Sequence, residues 1–296
     1  MSILINHVMG INTHSSIFNN FIERIKNKSP SYFKHIVSIA PDPSADIYHY
    51  HRPQKLLIDN LSKKSLCTLH FDPLDLRQHS SVSDMFFRLG LFEKVVFLNK
   101  TTYDRCSFLG EKRVFIPHGY DIRLSLRKQK KPHNTLNVAV ICKYYKDGRK
   151  GEAYIFELFN LLPKHARLFL IGHNWPERIE QRCSNIKIIK PDSYCDVIKL
   201  YSVIDMVFIA SPYEGGPACL PEALAAGCIV FSSRCGMAED LLDERLLIDY
   251  DLESDREKIL GVIKNLEHEK KHIIKSKVIT WDEVSHNYNK LYQSMI

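Results

Sequence analysis

No apolar run in this 296-residue sequence approaches the roughly 20 residues of a membrane-spanning helix, so none is expected. The opening residues, MSILINHVMG, lack the basic start and longer apolar core of a signal peptide and read directly as a strand. Cysteine occurs eight times but never as a CxxC pair: Cys67, Cys106, Cys142, Cys183, Cys195, Cys219, Cys228 and Cys235 are scattered, several inside apolar runs. That scatter suits reduced, buried thiols in a cytosolic protein better than a disulfide framework or zinc site. Repeats and low-complexity tracts are also missing. With 45% hydrophobic and 25% charged residues the composition is globular, and the length suits two compact domains.

Charge is unevenly spread. The formal net charge is +7, and residues 1–124 hold 16 Lys and Arg against 11 Asp and Glu. The stretch Ser125–Asn134 adds Arg127, Lys128, Lys130 and Lys131 with no acid. A basic first half suits an anionic acceptor or peripheral attachment to an anionic membrane; a merely soluble surface is the alternative. Nothing in the pattern points to nucleic acid.

Strand-like runs alternate with helical ones. ILINHV, FKHIVSIA, DIYHYH, SLCTLH, EKVVFLN and RVFIP precede the basic stretch, and LNVAVICK, ARLFLIG, NIKII, IDMVFIA, CIVFSS and RLLID follow it. Amphipathic stretches such as Glu152–Leu162 and Arg256–Leu266 separate many of them. The pattern predicts an α/β protein with two Rossmann-like, doubly wound parallel sheets facing a cleft. The expected division is 1–125, a basic linker 126–135, a second domain 136–280, and a terminal helix 281–296 packing back on the first. Thr280 and Asp282 are both candidate caps for that helix.

The most informative stretch is Ser211–Gly227, SPYEGGPACLPEALAAG, which places Glu214 and Glu222 across a turn-to-helix junction. IDMVFIA before it reads as a buried parallel strand. Gly215, Gly216 and Pro217 break that strand, and Pro217 suits the first turn of the following helix. A strand, a glycine turn and a helix put free N–H groups at a strand's C-terminal edge, where α/β proteins hold phosphates. Carboxylates on both sides of an anion site fit a phosphate that bears hydroxyls at each end, as a nucleoside diphosphate sugar does.

These residues resemble glycosyltransferase family 4, retaining enzymes of GT-B fold, whose signature has two glutamates separated by seven residues. The likeness extends along the chain. DIYHYH, TLHFD (Thr68–Asp72) and FIPHGYD (Phe115–Asp121) resemble successive elements of the family's first domain, with His118 where it usually has Asn. VAVICKYYKDGRKG resembles the first strand and phosphate loop of its second domain.

The resemblance implies a role for each matching residue. Lys150 would bind the diphosphate. The second cation would be Lys143, at the strand end where the family has an arginine, or Arg149. Glu222 would accept hydrogen bonds from the ribose hydroxyls. Glu214 would contact the transferred sugar and favour the positive charge of an oxocarbenium-like transition state. The backbone of Gly215, Gly216, Pro217 and Ala218 would face sugar or phosphate. In the first domain His70 would contact the donor sugar or its phosphate, with His49, His51 and His118 as weaker candidates, and Arg52 would contribute to acceptor or phosphate binding. Gly10 matches a glycine that lets the backbone approach the donor, although MGINTHSS has one glycine where the family often has two.

No metal or other cofactor is expected. The sequence Asp249-Tyr250-Asp251 has the spacing of a metal-binding Asp-x-Asp but reads as a strand-to-helix connection. The reading is therefore a metal-independent, retaining glycosyltransferase. It would move sugar from a nucleotide donor to a glycan or lipid-linked acceptor in surface polysaccharide synthesis. A non-catalytic sugar-nucleotide-binding or scaffold subunit is the alternative from another class, and a sugar-nucleotide epimerase of the same fold is a third.

Overall fold

The structure is a computed structural model that describes residues 2–11, 13, 16–55, 61, 64–126, 135–272 and 278–296. Arg127, Lys128, Lys130 and Lys131 of the basic linker lie outside the described residues. Among the described residues twelve strands form two parallel sheets of six. The first contains β1 (Ile3–Val8), β2 (Phe33–Ser38), β3 (Ile47–Tyr50), β4 (Ser65–Leu69), β5 (Lys94–Phe97) and β6 (Arg113–Phe115). The second contains β7 (Leu136–Ile141), β8 (Ala166–Ile171), β9 (Ile186–Ile189), β10 (Met206–Ile209), β11 (Ile229–Ser233) and β12 (Leu247–Ile248). Each falls on one of the twelve runs that the sequence singles out.

The second sheet has the order β12-β11-β10-β7-β8-β9, the doubly wound Rossmann arrangement, and its order reverses between β7 and β10. The first runs β2-β1-β3-β4-β5-β6, so its reversal lies between β1 and β3. Every strand pair is parallel. Such sheets are covered on both faces, which is why strands such as β10 are apolar on both, although β1 and β3 also bury His7 and His49.

Alternate residues of each strand enter opposite cores. In β5, Val96 packs with the helices Ser16–Lys26 and Trp281–Ser294, while Val95 and Phe97 pack with Met85 and Leu89 of the helix Val82–Gly90. In β10, Met206 and Phe208 meet Ile155, Leu158 and Ile259, whereas Val207 and Ile209 meet Leu220, Ala223 and Leu224. Full burial of one such side chain is worth about 1.5–3 kcal/mol.

The chain forms two compact units. One comprises Met1–Gly119, Tyr213–Pro217 and Ile279–Ile296; the other comprises Tyr120–Pro212 and Ala218–Val278. This division departs from the expected boundaries in two places. Tyr120–Ser125 belongs to the second unit, because Leu124 is buried in its core beside Leu220 and Leu224. The glycine turn Tyr213–Pro217 belongs to the first. The terminal helix is part of the first unit, and Thr280 is its cap. Its hydroxyl accepts from the Glu283 N–H, and the Glu283 carboxylate accepts from the Thr280 N–H, a capping box.

All eight cysteines are free thiols. Cys67, Cys106, Cys228 and Cys235 are buried, but Cys195 is exposed, which corrects the expectation that the thiols are buried. Burial pushes the Cys106 thiol up to about 11.

Candidate active site

In the second unit the loop after β7 is built around a buried carboxylate. Glu152, 4% exposed, opens the helix Glu152–Asn160 and accepts the backbone N–H groups of Tyr145 and Lys150, each at 3.0 Å. One side chain thus fixes both ends of the loop that presents the candidate phosphate cations. Gly151 precedes it with φ +71°, and a Cβ there would lie 1.8 Å from the Ala210 carbonyl oxygen. Only glycine lets the loop after β7 approach the end of β10 so closely. That close approach occurs at the point of strand-order reversal, where open α/β sheets bind their ligands.

Lys143 ends this strand region exposed, with Nζ 5.7 Å from the Tyr145 ring centre. Arg149 lies over the same ring at 4.7 Å, and its Nε donates to Asp147 at 2.9 Å. The Arg149 guanidinium is therefore already ion-paired, while Lys143, among the described residues, is drawn toward a ring face. Lys150 is half-buried at the end of the loop.

Glu222 is in the helix Cys219–Ala225 and is 5% exposed. Its carboxylate accepts the Tyr194 hydroxyl at 2.6 Å and the Tyr201 hydroxyl at 3.2 Å. Burial and the nearby Glu222 carboxylate push the Tyr201 hydroxyl up, so it stays a donor. The sequence reading missed both tyrosines. The available signal was their spacing, since residues seven apart on a helical stretch share a face. Pro217 precedes the N-cap residue Ala218 instead of entering the first turn; Pro221 occupies that turn, where a missing N–H costs nothing.

In the first unit the glycine turn packs on strand ends. A Cβ at Gly215 would lie 2.4 Å from the His70 carbonyl carbon, and one at Gly216 would lie 2.9 Å from the His118 ring. The Asn99 side chain donates to the Gly215 carbonyl at 2.7 Å, and its own Oδ1 caps the helix Lys100–Arg105. Gly215 is thus required by close backbone packing, and the turn brings Glu214 into the same unit as His70. Asn99 was also missed; its signal is an asparagine two residues past the end of the buried strand β5, at the start of a helix.

His70 follows β4 and is flanked by the rings of Phe18 and Phe21 at 4.8 and 5.0 Å. Burial, with His118 and Arg52 nearby, holds its affinity for a proton well below that of an ordinary histidine. Burial also lowers His118 to about 4, and its Nδ1 is buried without a hydrogen-bond partner among the described residues. Gly10, φ +80°, closes the turn after β1 beside Lys55 and Arg52, and Arg52 donates to the Met9 carbonyl at 3.3 Å. His49 and His51 are buried in the sheet.

The two acids of the Asp-x-Asp have separate tasks. Asp249 pairs with Lys258 at 2.6 Å and Arg234 at 3.0 Å, and Asp251 caps the helix Leu252–Lys264.

Residues 136–265 match the family model of glycosyl transferases group 1. No curated protein sequence matches the chain at a significant level. Among solved structures, the fold is similar to a sucrose-phosphate synthase from Thermosynechococcus elongatus at TM-score 0.75 and 13% identity, covering 100% of this chain and 99% of that one. HepE from Anabaena in complex with UDP matches at TM-score 0.71 and 15% identity, over 99% of this chain and 100% of that one. WaaG, a glycosyltransferase involved in lipopolysaccharide biosynthesis, matches at TM-score 0.63 and 14% identity, over 97% and 95% of the two chains. The shared architecture is the two-domain α/β fold of GT-B glycosyltransferases.

Proposed function

We propose that this chain is a retaining, metal-independent glycosyltransferase that moves a sugar from a nucleoside diphosphate sugar to a hydroxyl acceptor. The observation that supports this most is the match of residues 136–265 to glycosyl transferases group 1, over a segment that holds Lys143, Lys150, Glu214 and Glu222. HepE, of the same fold, is described in complex with UDP-glucose, which favours a nucleotide-sugar donor here. WaaG's role in lipopolysaccharide favours a glycan or lipid-linked acceptor in surface polysaccharide synthesis.

In this reading the diphosphate approaches the loop after β7, where Lys150 and Lys143 offset the charge that grows on the leaving group. Arg149 is the weaker second cation because a phosphate must compete with Asp147. Glu222, oriented by Tyr194 and Tyr201, uses remaining lone pairs to accept the ribose hydroxyls. Glu214 favours the positive charge developing on the sugar, and the amides of Gly215, Gly216 and Ala218 line the same turn. His70 and Gly10 supply the first unit's contacts to the donor. No cofactor enters the reaction, and work at the inner face of a membrane suits the basic first half.

The test is to incubate purified chain with a panel of nucleoside diphosphate sugars, with and without chelator, and follow nucleotide release and the anomeric configuration of product by NMR. Retention of configuration and chelator-insensitive turnover are expected. Inversion, or loss of turnover with chelator and its return with a divalent cation, would overturn those parts of the reading. Donor binding without hydrolysis or transfer would indicate a binding subunit instead.

A further inference from the structure

Four histidines from four strand regions of the first sheet form one continuous hydrogen-bonded row. His35 Nδ1 is 2.9 Å from His7 Nε2, His7 Nδ1 is 3.0 Å from His51 Nε2, and His51 Nδ1 is 3.1 Å from His70 Nε2. Each link joins Nε2 of one ring to Nδ1 of the next, so the row has a single direction. The first two pairs have ring centres 5.2 Å apart and interplanar angles of 17° and 21°. That separation is close to the N···N distance plus two ring radii. The rings therefore meet edge to edge and nearly in line, the arrangement of good N–H···N bonds.

The ends of the row differ. At the outer end, half-buried His35 places Nε2 3.0 Å from the Ser29 hydroxyl. At the inner end, Nδ1 of half-buried His70 makes no hydrogen bond among the described residues. A neutral imidazole carries one N–H and one acceptor nitrogen. All four rings can hold the proton on Nε2, or all four on Nδ1, and every internal link is satisfied either way. Burial keeps the row neutral: it lowers His7, His51 and His70 well below their ordinary value and His35 to about 4. Lys26 and Arg52 act in the same direction on its two ends, and Glu23 opposes them at His35.

We propose that His70, His51, His7 and His35 form a proton relay that removes the acceptor hydroxyl's proton from the site. The proposal rests on the sugar-transfer reading above. As the acceptor oxygen bonds to the anomeric carbon, the bond from that carbon to the phosphate oxygen breaks and its electron pair stays with the diphosphate. The hydroxyl proton passes to His70 Nδ1. His70 Nε2–H then gives its proton to His51 Nδ1, His51 Nε2–H to His7 Nδ1, and His7 Nε2–H to His35 Nδ1. His35 releases its Nε2 proton to water by way of Ser29. One proton leaves as the leaving group gains one negative charge. After product departs, a proton enters at His35 and one exits from His70 to water in the emptied site, which restores the first tautomer of every ring.

A buried metal is the competing use of these residues, because nitrogens of His7, His49 and His51 lie within 4.8 Å of one another. Both His49 nitrogens, however, face hydroxyls: Tyr292 at 2.7 Å and Thr68 at 2.8 Å. His49 therefore packs beside the row without joining it.

The test combines nitrogen-15 NMR of histidine-labelled protein with single-turnover transfer in light and heavy water. The expected results are neutral rings, N–N couplings across the three links, and a solvent isotope effect arising from several protons. His7→Phe, which interrupts the row without touching His70, should slow transfer at least tenfold, reduce the isotope effect to one proton, and leave nucleotide affinity unchanged. Should that variant fail to fold, His35→Ala should show the same loss, with rescue by added imidazole. Absent couplings or one equivalent of bound zinc would overturn the relay. Transfer by the wild type that His7→Phe leaves unchanged would overturn it while sparing the sugar-transfer reading. No transfer by the wild type, with couplings present, would overturn that reading and the relay's cargo but not the hydrogen-bonded row.

Discussion

The first sheet buries a row of imidazoles on one face, whereas no strand of the second sheet contains a histidine. Both sheets have six parallel strands covered by helices, so architecture does not account for the difference. In the second unit, buried polar groups stand at strand ends and helix starts: Glu152 holds a loop, Glu222 meets two tyrosines, and Asp205 receives Lys270 at 2.6 Å. Within its strands the buried polar side chains are Asn137, Ser232 and Ser233, all in the first or last two positions of β7 and β11. In the first unit, polarity runs through the sheet interior, where each unmatched ring nitrogen would be costly. The lesson is that one unit places chemistry at its rim and the other extends it into its core.

The largest expected effect breaks the second unit at its rim. Gly151→Val combines a positive φ with a Cβ 1.8 Å from the Ala210 carbonyl oxygen. Strain and overpacking together should cost about 3–5 kcal/mol. Urea unfolding monitored in the second unit measures this. A variant within about 1 kcal/mol of wild type would show that the loop after β7 need not approach β10 so closely.

Acid should next separate the two sheets. Unfolded histidines take up protons near pH 6.5, whereas the buried rings of the first sheet do so only at lower pH, about 4 for His35 and His118. Above pH 6.5 neither state is protonated and these groups add no pH dependence. Between about 6.5 and 4 the unfolded state binds more protons, so stability falls as pH falls, by up to about 1.4 kcal/mol per pH unit for each such histidine. The carboxylates that the second unit holds low, Asp249 beside Lys258 and Glu269 beside Arg245, retain their charge until more acidic pH. Hydrogen exchange at pH 7.5 and 5.5, corrected for intrinsic rates, should show β1 and β3 losing protection before β7 and β10. Parallel loss in both sheets would contradict the difference drawn between them.

These two effects also separate what the sequence discloses from what it conceals. All twelve strands are legible, because parallel strands buried on both faces are written as short apolar runs between turn residues. IDMVFIA becomes β10, fully buried between β7 and β11. The motif around Glu214 and Glu222 is legible by its spacing. Its assignment to two units is not, because the docking of Gly215 on His70 and Phe71 depends on backbone contact between residues distant in sequence. The histidine row is concealed for the same reason. HYH (His49–His51) at the end of β3 shows two rings on one face, but the alignment of His51 with His7, His35 and His70 depends on strand order and register.

A smaller effect sharpens the role of the second unit's rim. Lys143→Ala should weaken nucleoside diphosphate binding about tenfold, or roughly 1.4 kcal/mol. Arg149→Ala should change it less, because binding would first have to displace Asp147 from the guanidinium. Calorimetric titration of both variants checks the order. A larger loss with Arg149→Ala would assign the second phosphate contact to the guanidinium.

The smallest effect lies on the first unit's terminal helix, whose polar contacts with the segment around Ile25–Lys28 include the exposed Lys28–Asp282 pair and the buried Ser285 hydroxyl. Lys28 pairs with Asp282 at 3.0 Å, and both side chains are more than half exposed. Solvent screening and side-chain entropy leave such a pair worth less than about 0.5 kcal/mol. The Ser285 hydroxyl, fully buried, donates to the Ile25 carbonyl at 2.9 Å. Ser285→Ala leaves that oxygen without this donor and should cost about 1 kcal/mol. Denaturant midpoints should therefore rank Ser285→Ala below Lys28→Ala, and added salt should shrink only the Lys28 effect. The reverse ranking would mean that surface charge, not buried polarity, holds this helix on the first sheet.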